Sequence, residues 1–351
     1  MKKFLSLMLA GALLAGLAVT TSGCGSSNAT NGEVNVYNWG EYIDEDIFDK
    51  FTEETGIKVN YTTYSDNESL YSVLASGSGE YDVIIPSDYM IARMIDEGML
   101  EELDFDNIPN YANIDDDYKG LEYDPDNLYS VAYMWGTVGI IYNTTMVEEE
   151  VTSWDALWDE RYSGQILMFD NSRDAIAIAL QKLGYSINTT DEGQIKEAVE
   201  ELIAQKPLLQ AYVMDQIFDK MEAGEAAIAP YYAGDAITMI EENPDLAFCL
   251  PEEGSNLFVD AMCIPKGAAN KENAEAFINF MCDPETIAAN CEVTGYSAPS
   301  TAARELLDEE LASSDIAYPD SDTLSRCNVF VNLPEDILSL YDSEWTRLKS
   351  N

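Results

Sequence analysis

The chain has 351 residues, of which 65 are Asp or Glu, 18 are Lys or Arg and none is His, for a formal net charge of -47. That balance excludes nucleic acid as a partner, because binding it needs a basic footprint, and the missing imidazole excludes histidine-assisted nucleophiles and histidine-ligated zinc. With 46% hydrophobic residues the chain can bury large cores, and its length suits about two domains.

The first residues carry an address. "MKK", then the apolar run "FLSLMLAGALLAGLAV", then "TTSGC" has the order of a secretory signal. A membrane span needs roughly 20 apolar residues, and this run falls short of that, so residues 1–23 are expected to be removed. "TSGC" resembles a bacterial lipobox, which implies a lipidated Cys24, a polar tether over 24–32 and a protein held outside the cytoplasm by its anchor. Five further cysteines, at 249, 263, 282, 291 and 327, show no CxxC spacing, and an odd number leaves at least one unpaired within the chain.

From Glu33 strands and helices alternate. Strand "VNVYNW" leads to helix "DEDIFDKFTEETG", whose Ile47, Phe48 and Phe51 share a face and which Gly56 can end. Strand "IKVNYTTY", helix "NESLYSVLASG", strand "YDVIIPS" and helix "YMIARMIDEGML" follow, an order that predicts a parallel sheet with crossover helices. Ligands of such sheets bind beyond the carboxyl ends of the strands. That places Trp39 to Tyr42 and Ser87 to Tyr89 at one cleft edge.

"YSVAYMWGTVGIIYN" then crosses to a second unit, with strand "QILMFD", helix "SRDAIAIALQKLG", an acidic helix near Asp191 to Ala204, helix "DQIFDKMEAG" and strands "AAIAPYY" and "LAFCLP". "NLFVDAMCIPKG" crosses back, and helices, "NAEAFINFM" and "PEDILSLYDSEWTRL" among them, fill most of the remainder. Two crossings predict discontinuous lobes: 33–137 with 260–305, and 138–259 with 306–351, with a cleft between them.

The ordered set "VYNWGEYI", "FTEETGIKV", "YDVIIPSDY", "YMWGTVGI", "VTSWDALW", "QKLGYSINTTD", "FVDAMCIP" and "TGYSAPSTAAR" resembles the spermidine/putrescine-binding proteins of bacterial ABC importers. The resemblance covers nearly the whole mature chain. It implies a two-lobed α/β fold of the type II periplasmic-binding-protein class, a monomer that needs no cofactor or metal, and delivery of a polyamine to an ABC permease.

A polyamine is a methylene chain punctuated by ammonium groups. Its binder needs carboxylates for the charges and aromatic faces along the methylenes, each face attracting a cation by roughly 0.5 to 2 kcal/mol. The resemblance carries this chemistry onto Trp39, Glu41, Tyr42, Ser87, Tyr89, Asn171, Asp174, Tyr232, Phe258, Asp260 and Tyr296. Gly40 stands where the family has a hydroxyl residue, and Asn171 where it has an aspartate. Tyr232 and Phe258 replace tryptophans of the spermidine-specific relatives, and Asn332 aligns poorly with a C-terminal amide and is left unassigned.

Two other readings use the same residues. Adjacent Tyr231 and Tyr232 resemble the twin tyrosinates of ferric-ion-binding relatives in the same fold class. Glu41 and Asp260 form the kind of carboxylate pair that a secreted carbohydrate-active enzyme uses as acid and base.

Overall fold

The computed structural model describes residues 31–77 and 79–350. The signal segment, Cys24 and most of the tether lie outside the described residues.

The first unit begins with β1 (Glu33–Trp39), whose Val34 and Val36 are fully buried. α1 (Ile47–Thr55) turns Ile47 and Phe51 into the core and ends at Gly56, which takes the left-handed φ of 73°. β2 (Lys58–Tyr64) leads to α2 (Asn67–Ser76), where the Asp66 carboxylate caps the first turn by accepting from Ser69 N. β3 (Val83–Ile84) and α3 (Asp88–Asp96) complete the set. β2 and β3 flank β1, both parallel to it.

The parallel order expected from the alternation stops there. β4 (Ser130–Asn143) and β9 (Leu257–Cys263) are antiparallel to each other, and β9 is antiparallel to β3. The sheet is therefore mixed, because the two crossing segments run in opposite directions through it. "YDVIIPS" supplies only a two-residue strand, since Pro86 has no N–H to extend the ladder.

The second unit holds β5 (Ile166–Phe169), α4 (Ser172–Lys182), α5 (Glu192–Gln205), β6 (Leu209–Val213), α6 (Ile217–Glu222), β7 (Ile228–Tyr232), α7 (Ala233–Glu242) and β8 (Leu246–Cys249). β5 lies parallel to β6 and β7, while β7 and β8 are antiparallel to the far half of β4. β6 has no counterpart in the sequence reading. It is an edge strand, mostly half-buried, so its apolar residues do not alternate cleanly. α8 (Lys271–Met281) and α9 (Pro284–Thr294) precede three short helices, α10 (Thr301–Arg304), α11 (Glu309–Ala312) and α12 (Ser321–Leu324). α13 (Glu335–Ser350) then packs on α4 and α5 of the second unit.

β4 joins the two halves. Ser130 to Thr137 pair with β9 on the first unit's side, and Val138 to Asn143 pair with β7 and β8 on the other. The whole path runs β2-β1-β3-β9-β4-β7-β5-β6. A third strand of chain passes nearby, where Leu257 N donates to Asn328 O over 3.0 Å. The five cysteines beyond Cys24 are all free thiols; Cys263, Cys282 and Cys291 are buried and behave as small apolar residues.

Candidate functional site

The carboxyl ends of the parallel strands of both units converge on one cavity. β1 delivers Trp39 and Tyr42, β2 Asp66 to Glu68, β3 Ser87 to Tyr89, β5 Asn171 and Asp174, β6 Met214 and Asp215, and β7 Tyr232 and Asp235. Phe258 and Asp260 enter from β9, Tyr296 from the turn after α9, and Phe330 from the segment before α13. The lining carries seven acids, Asp66, Glu68, Asp88, Asp174, Asp215, Asp235 and Asp260, and no Lys or Arg.

Asp260 sits near the middle, 4% exposed. Its backbone bridges to Ser87, and Phe258 lies two residues before it on the same strand face. Burial pushes its carboxyl up to about 7, against the downward pull of the Ser87 and Tyr42 hydroxyls beside it. Neither Asp260 Oδ1 nor the buried Tyr42 hydroxyl completes a hydrogen bond within the chain. A buried carboxylate oxygen without a partner is costly unless a donor arrives from elsewhere.

Asp174 stands in the first turn of α4. Its Oδ2 accepts from the Tyr232 hydroxyl at 2.9 Å and from Asn171 Nδ2 at 2.9 Å, while its own N–H donates to Asn171 Oδ1 at 2.8 Å. Asn171 is thus the cap of α4 and the clamp that orients Asp174. Burial raises the Asp174 carboxyl, and the two donors oppose that.

Glu68 accepts from the Tyr89 hydroxyl at 3.0 Å, and burial pushes it up to about 7. Asn67 ties the neighbours together: its Nδ2 reaches Ser87 Oγ at 3.1 Å and Tyr89 Oη at 3.2 Å. Ser87 precedes α3 but its side chain makes no cap bond, so the hydroxyl is free to face Asp260. Arg173 is buried behind this wall, its guanidinium 4.5 Å from the Phe330 ring centre and 5.2 Å from that of Tyr89.

The aromatic residues form a continuous wall. Trp39 is half-buried and held by its indole N–H, which donates to Ile85 O at 2.9 Å. Tyr42 meets Tyr296 edge-on at 4.6 Å, Tyr296 lies 6.1 Å from Phe258, and Phe258 meets Tyr232 edge-on at 5.6 Å. The Tyr296 ring rests directly on the backbone of Gly234, where a Cβ would overlap it. The turn after β1 is fixed by the Tyr133 hydroxyl, which donates to Tyr42 O at 2.7 Å.

Ten of the eleven sequence-expected residues line this cavity; Glu41 does not. Its backbone takes the left-handed φ of 46°, and its exposed side chain enters a separate surface groove with Phe218, Glu222 and Val293. Asn332 lies outside the cavity as well, with its Nδ2 on Asp96 at 3.2 Å. Asp235, Asp215, Glu68 and Asp88 were not singled out from the sequence, yet each follows a parallel strand end. Applying the strand-end rule to "YSDNES", "MDQ" and "YYAGD" finds Glu68, Asp215 and Asp235. Burial holds Asp235 well above the usual carboxylate range; the Tyr296 hydroxyl lowers it, and Asp215 and Glu41 raise it.

The other two readings lose their geometry. Tyr231 is buried and stacks on Phe169 at 5.4 Å, and the Tyr232 hydroxyl is already engaged, donating to Asp174 Oδ2 at 2.9 Å. Among the described residues no three His, Cys, Asp or Glu side chains are grouped to hold a metal. The carboxylate pair of the enzymatic reading is split, with Asp260 inside the cavity and Glu41 outside it.

The chain is 35% identical to the spermidine/putrescine-binding periplasmic protein of Salmonella typhimurium, covering 98% of this chain and 97% of that one. It is 29% identical to the putrescine-binding periplasmic protein PotF of Escherichia coli, covering 99% and 98%. Among solved structures, a putative spermidine/putrescine ABC transporter protein from Listeria monocytogenes superposes with a TM-score of 0.87 at 40% identity, covering 90% of this chain and 98% of that one. The substrate-binding protein PotD of Streptococcus pneumoniae gives 0.77 at 39% identity, covering 91% and 99%. Residues 46–319 match the model of the bacterial extracellular solute-binding proteins. With the two-lobed α/β architecture and the cavity between its halves, the chain belongs to that family of bacterial extracellular solute-binding proteins.

Proposed function

We propose that this chain captures a polyamine of the spermidine or putrescine class outside the cytoplasm and hands it to the permease of an ABC importer. The observation that carries the reading is the cavity lining: seven acids, no base, a wall of aromatic faces, and a buried Asp260 oxygen without a partner. Relatives that match over nearly their whole length are named for binding spermidine and putrescine.

In this reading Asp260, Asp174, Asp235 and Glu68 meet ammonium groups, while Trp39, Tyr42, Tyr232, Phe258 and Tyr296 cover the methylenes. Asn171, Ser87 and Tyr89 orient the acids. The two lobes, 33–137 with 260–305 and 138–259 with 306–351, close over the ligand by motion at the crossings, and the closed monomer docks on the permease. The protein binds without turnover and without a cofactor.

Calorimetry with putrescine, cadaverine, spermidine, spermine and agmatine tests the reading. Saturable one-to-one binding of at least one of them is expected, and no heat with any of them refutes it. Turnover of a sugar polymer by the purified protein would likewise sink it. We further propose cleavage before Cys24 and lipidation there. Cys24→Ser is expected to move the protein from the membrane fraction of an expressing bacterium to the soluble one; unchanged partitioning rejects the anchor.

A further inference from the structure

The sequence leaves one carboxylate short, with Asn171 where the resemblance calls for an acid, and one hydroxyl short, at Gly40. The structure shows an acid at the second of these gaps. Gly40 lies in the turn after β1 of one lobe, and Asp215 follows β6 of the other. A Cβ built on Gly40 comes within 2.5 Å of Asp215 Oδ2 and 3.3 Å of its Cγ. The space that a side chain at position 40 would take is therefore filled from across the cleft by the Asp215 carboxylate.

Asp215 lines the cavity beside Asp235, which is 8% exposed and also lines it. Glu41 lies outside the cavity, its exposed side chain in the neighbouring groove, and its negative charge adds to the field at this corner. Asp215, Asp235 and Glu41 form no ion pair among the described residues. Acids gathered at one corner repel one another, and the repulsion is relieved when a cation lies among them. Arg173 lies behind Phe330 and Tyr89 and is not part of the cavity lining.

We infer that Asp215 is a further amine-binding residue of this chain, admitted to the cavity by the absence of a side chain at Gly40, and that it takes a primary ammonium at the cavity mouth. This rests on the amine-binding reading above. It returns a carboxylate to a site that the resemblance leaves one acid short at Asn171.

The test is a double-mutant cycle on the full chain, read by calorimetry with putrescine and spermidine. Asp215→Asn and Gly40→Ser should each weaken binding roughly tenfold, the range of a charged hydrogen bond at a partly wet site. Gly40→Ser acts by pushing the Asp215 side chain aside, so the double variant should bind no more weakly than Asp215→Asn alone. Unchanged or tighter binding by Asp215→Asn overturns the inference, as do losses that simply add. Thermal melting of each variant separates loss of binding from loss of fold, and a misfolded Gly40→Ser leaves Asp215→Asn to decide. A parent chain that binds neither amine rejects the polyamine reading itself, whereas a parent that binds and an Asp215→Asn that binds equally rejects only the role of Asp215.

Discussion

At the scale of single residues the site is a set of buried acids whose ionised form burial disfavours. Asp260 and Glu68 are each pushed up to about 7 by burial, and Asp235 and Asp174 are raised in the same direction. Unfolded carboxyls titrate near 4. Between about pH 4 and 7 the empty folded chain thus binds more protons than the unfolded one, and its stability falls as pH rises through that window. Affinity for a polyamine has the opposite slope, because the ligand needs the ionised acids. Melting of the ligand-free protein from pH 5 to 8 should show a falling midpoint, while calorimetry over the same range shows tightening binding with protons released; parallel slopes would contradict this account. Asp260→Asn should weaken binding at least about thirtyfold, since it strips a buried charge from its partner, and calorimetry at pH 7.5 measures that loss. The strand-end rule alone points to Trp39, Tyr42, Ser87 and Tyr89, the family resemblance supplies Asp174 and Asp260, and Glu68 and Asp235 were passed over. Glu41, expected among the ligand contacts, lies outside this lining, and its backbone takes a left-handed φ of 46° that no alternation pattern carries.

At the scale of elements, the strands and helices with clean periodicity appear where the sequence puts them. α1 ends at Gly56 and α2 at Gly77, and β4 runs through "SVAYMWGTVGIIYN" without a break. What was hidden is direction and edge character. An apolar run reads the same whether its neighbour is parallel or antiparallel, so the mixed sheet at β9 and β4 was not visible, and neither was the half-buried edge strand β6. The end of α9 shows how tightly it meets α7. Gly295 takes the left-handed φ of 72°, and a Cβ there would overlap Gly234 O. Gly295→Ala is expected to destabilise the fold by about 2 kcal/mol, through backbone strain and the displaced contact together. Chemical denaturation measures it, and a change within error would mean the two turns can part freely.

At the scale of the whole molecule, a net charge of -47 on the chain acts on a cationic solute before any contact forms. Association with spermidine should slow steeply as ionic strength rises, with the dissociation rate changing less, which stopped-flow tryptophan fluorescence can follow. Ligand should also shrink the radius of gyration in solution scattering, as the lobes close. β4 gives that closing motion a particular character. Gly136 pairs with Phe258 on one side of the strand's midpoint, and two residues on Val138 pairs with Tyr232. Phe258 and Tyr232, whose rings meet edge-on at 5.6 Å, are therefore rungs of one ladder, mounted on either side of Thr137. In the closing motion proposed above, a rotation of β4 at Thr137 would act on that ring contact directly, with no lever arm between, so the strand that joins the halves would also set how the aromatic wall parts.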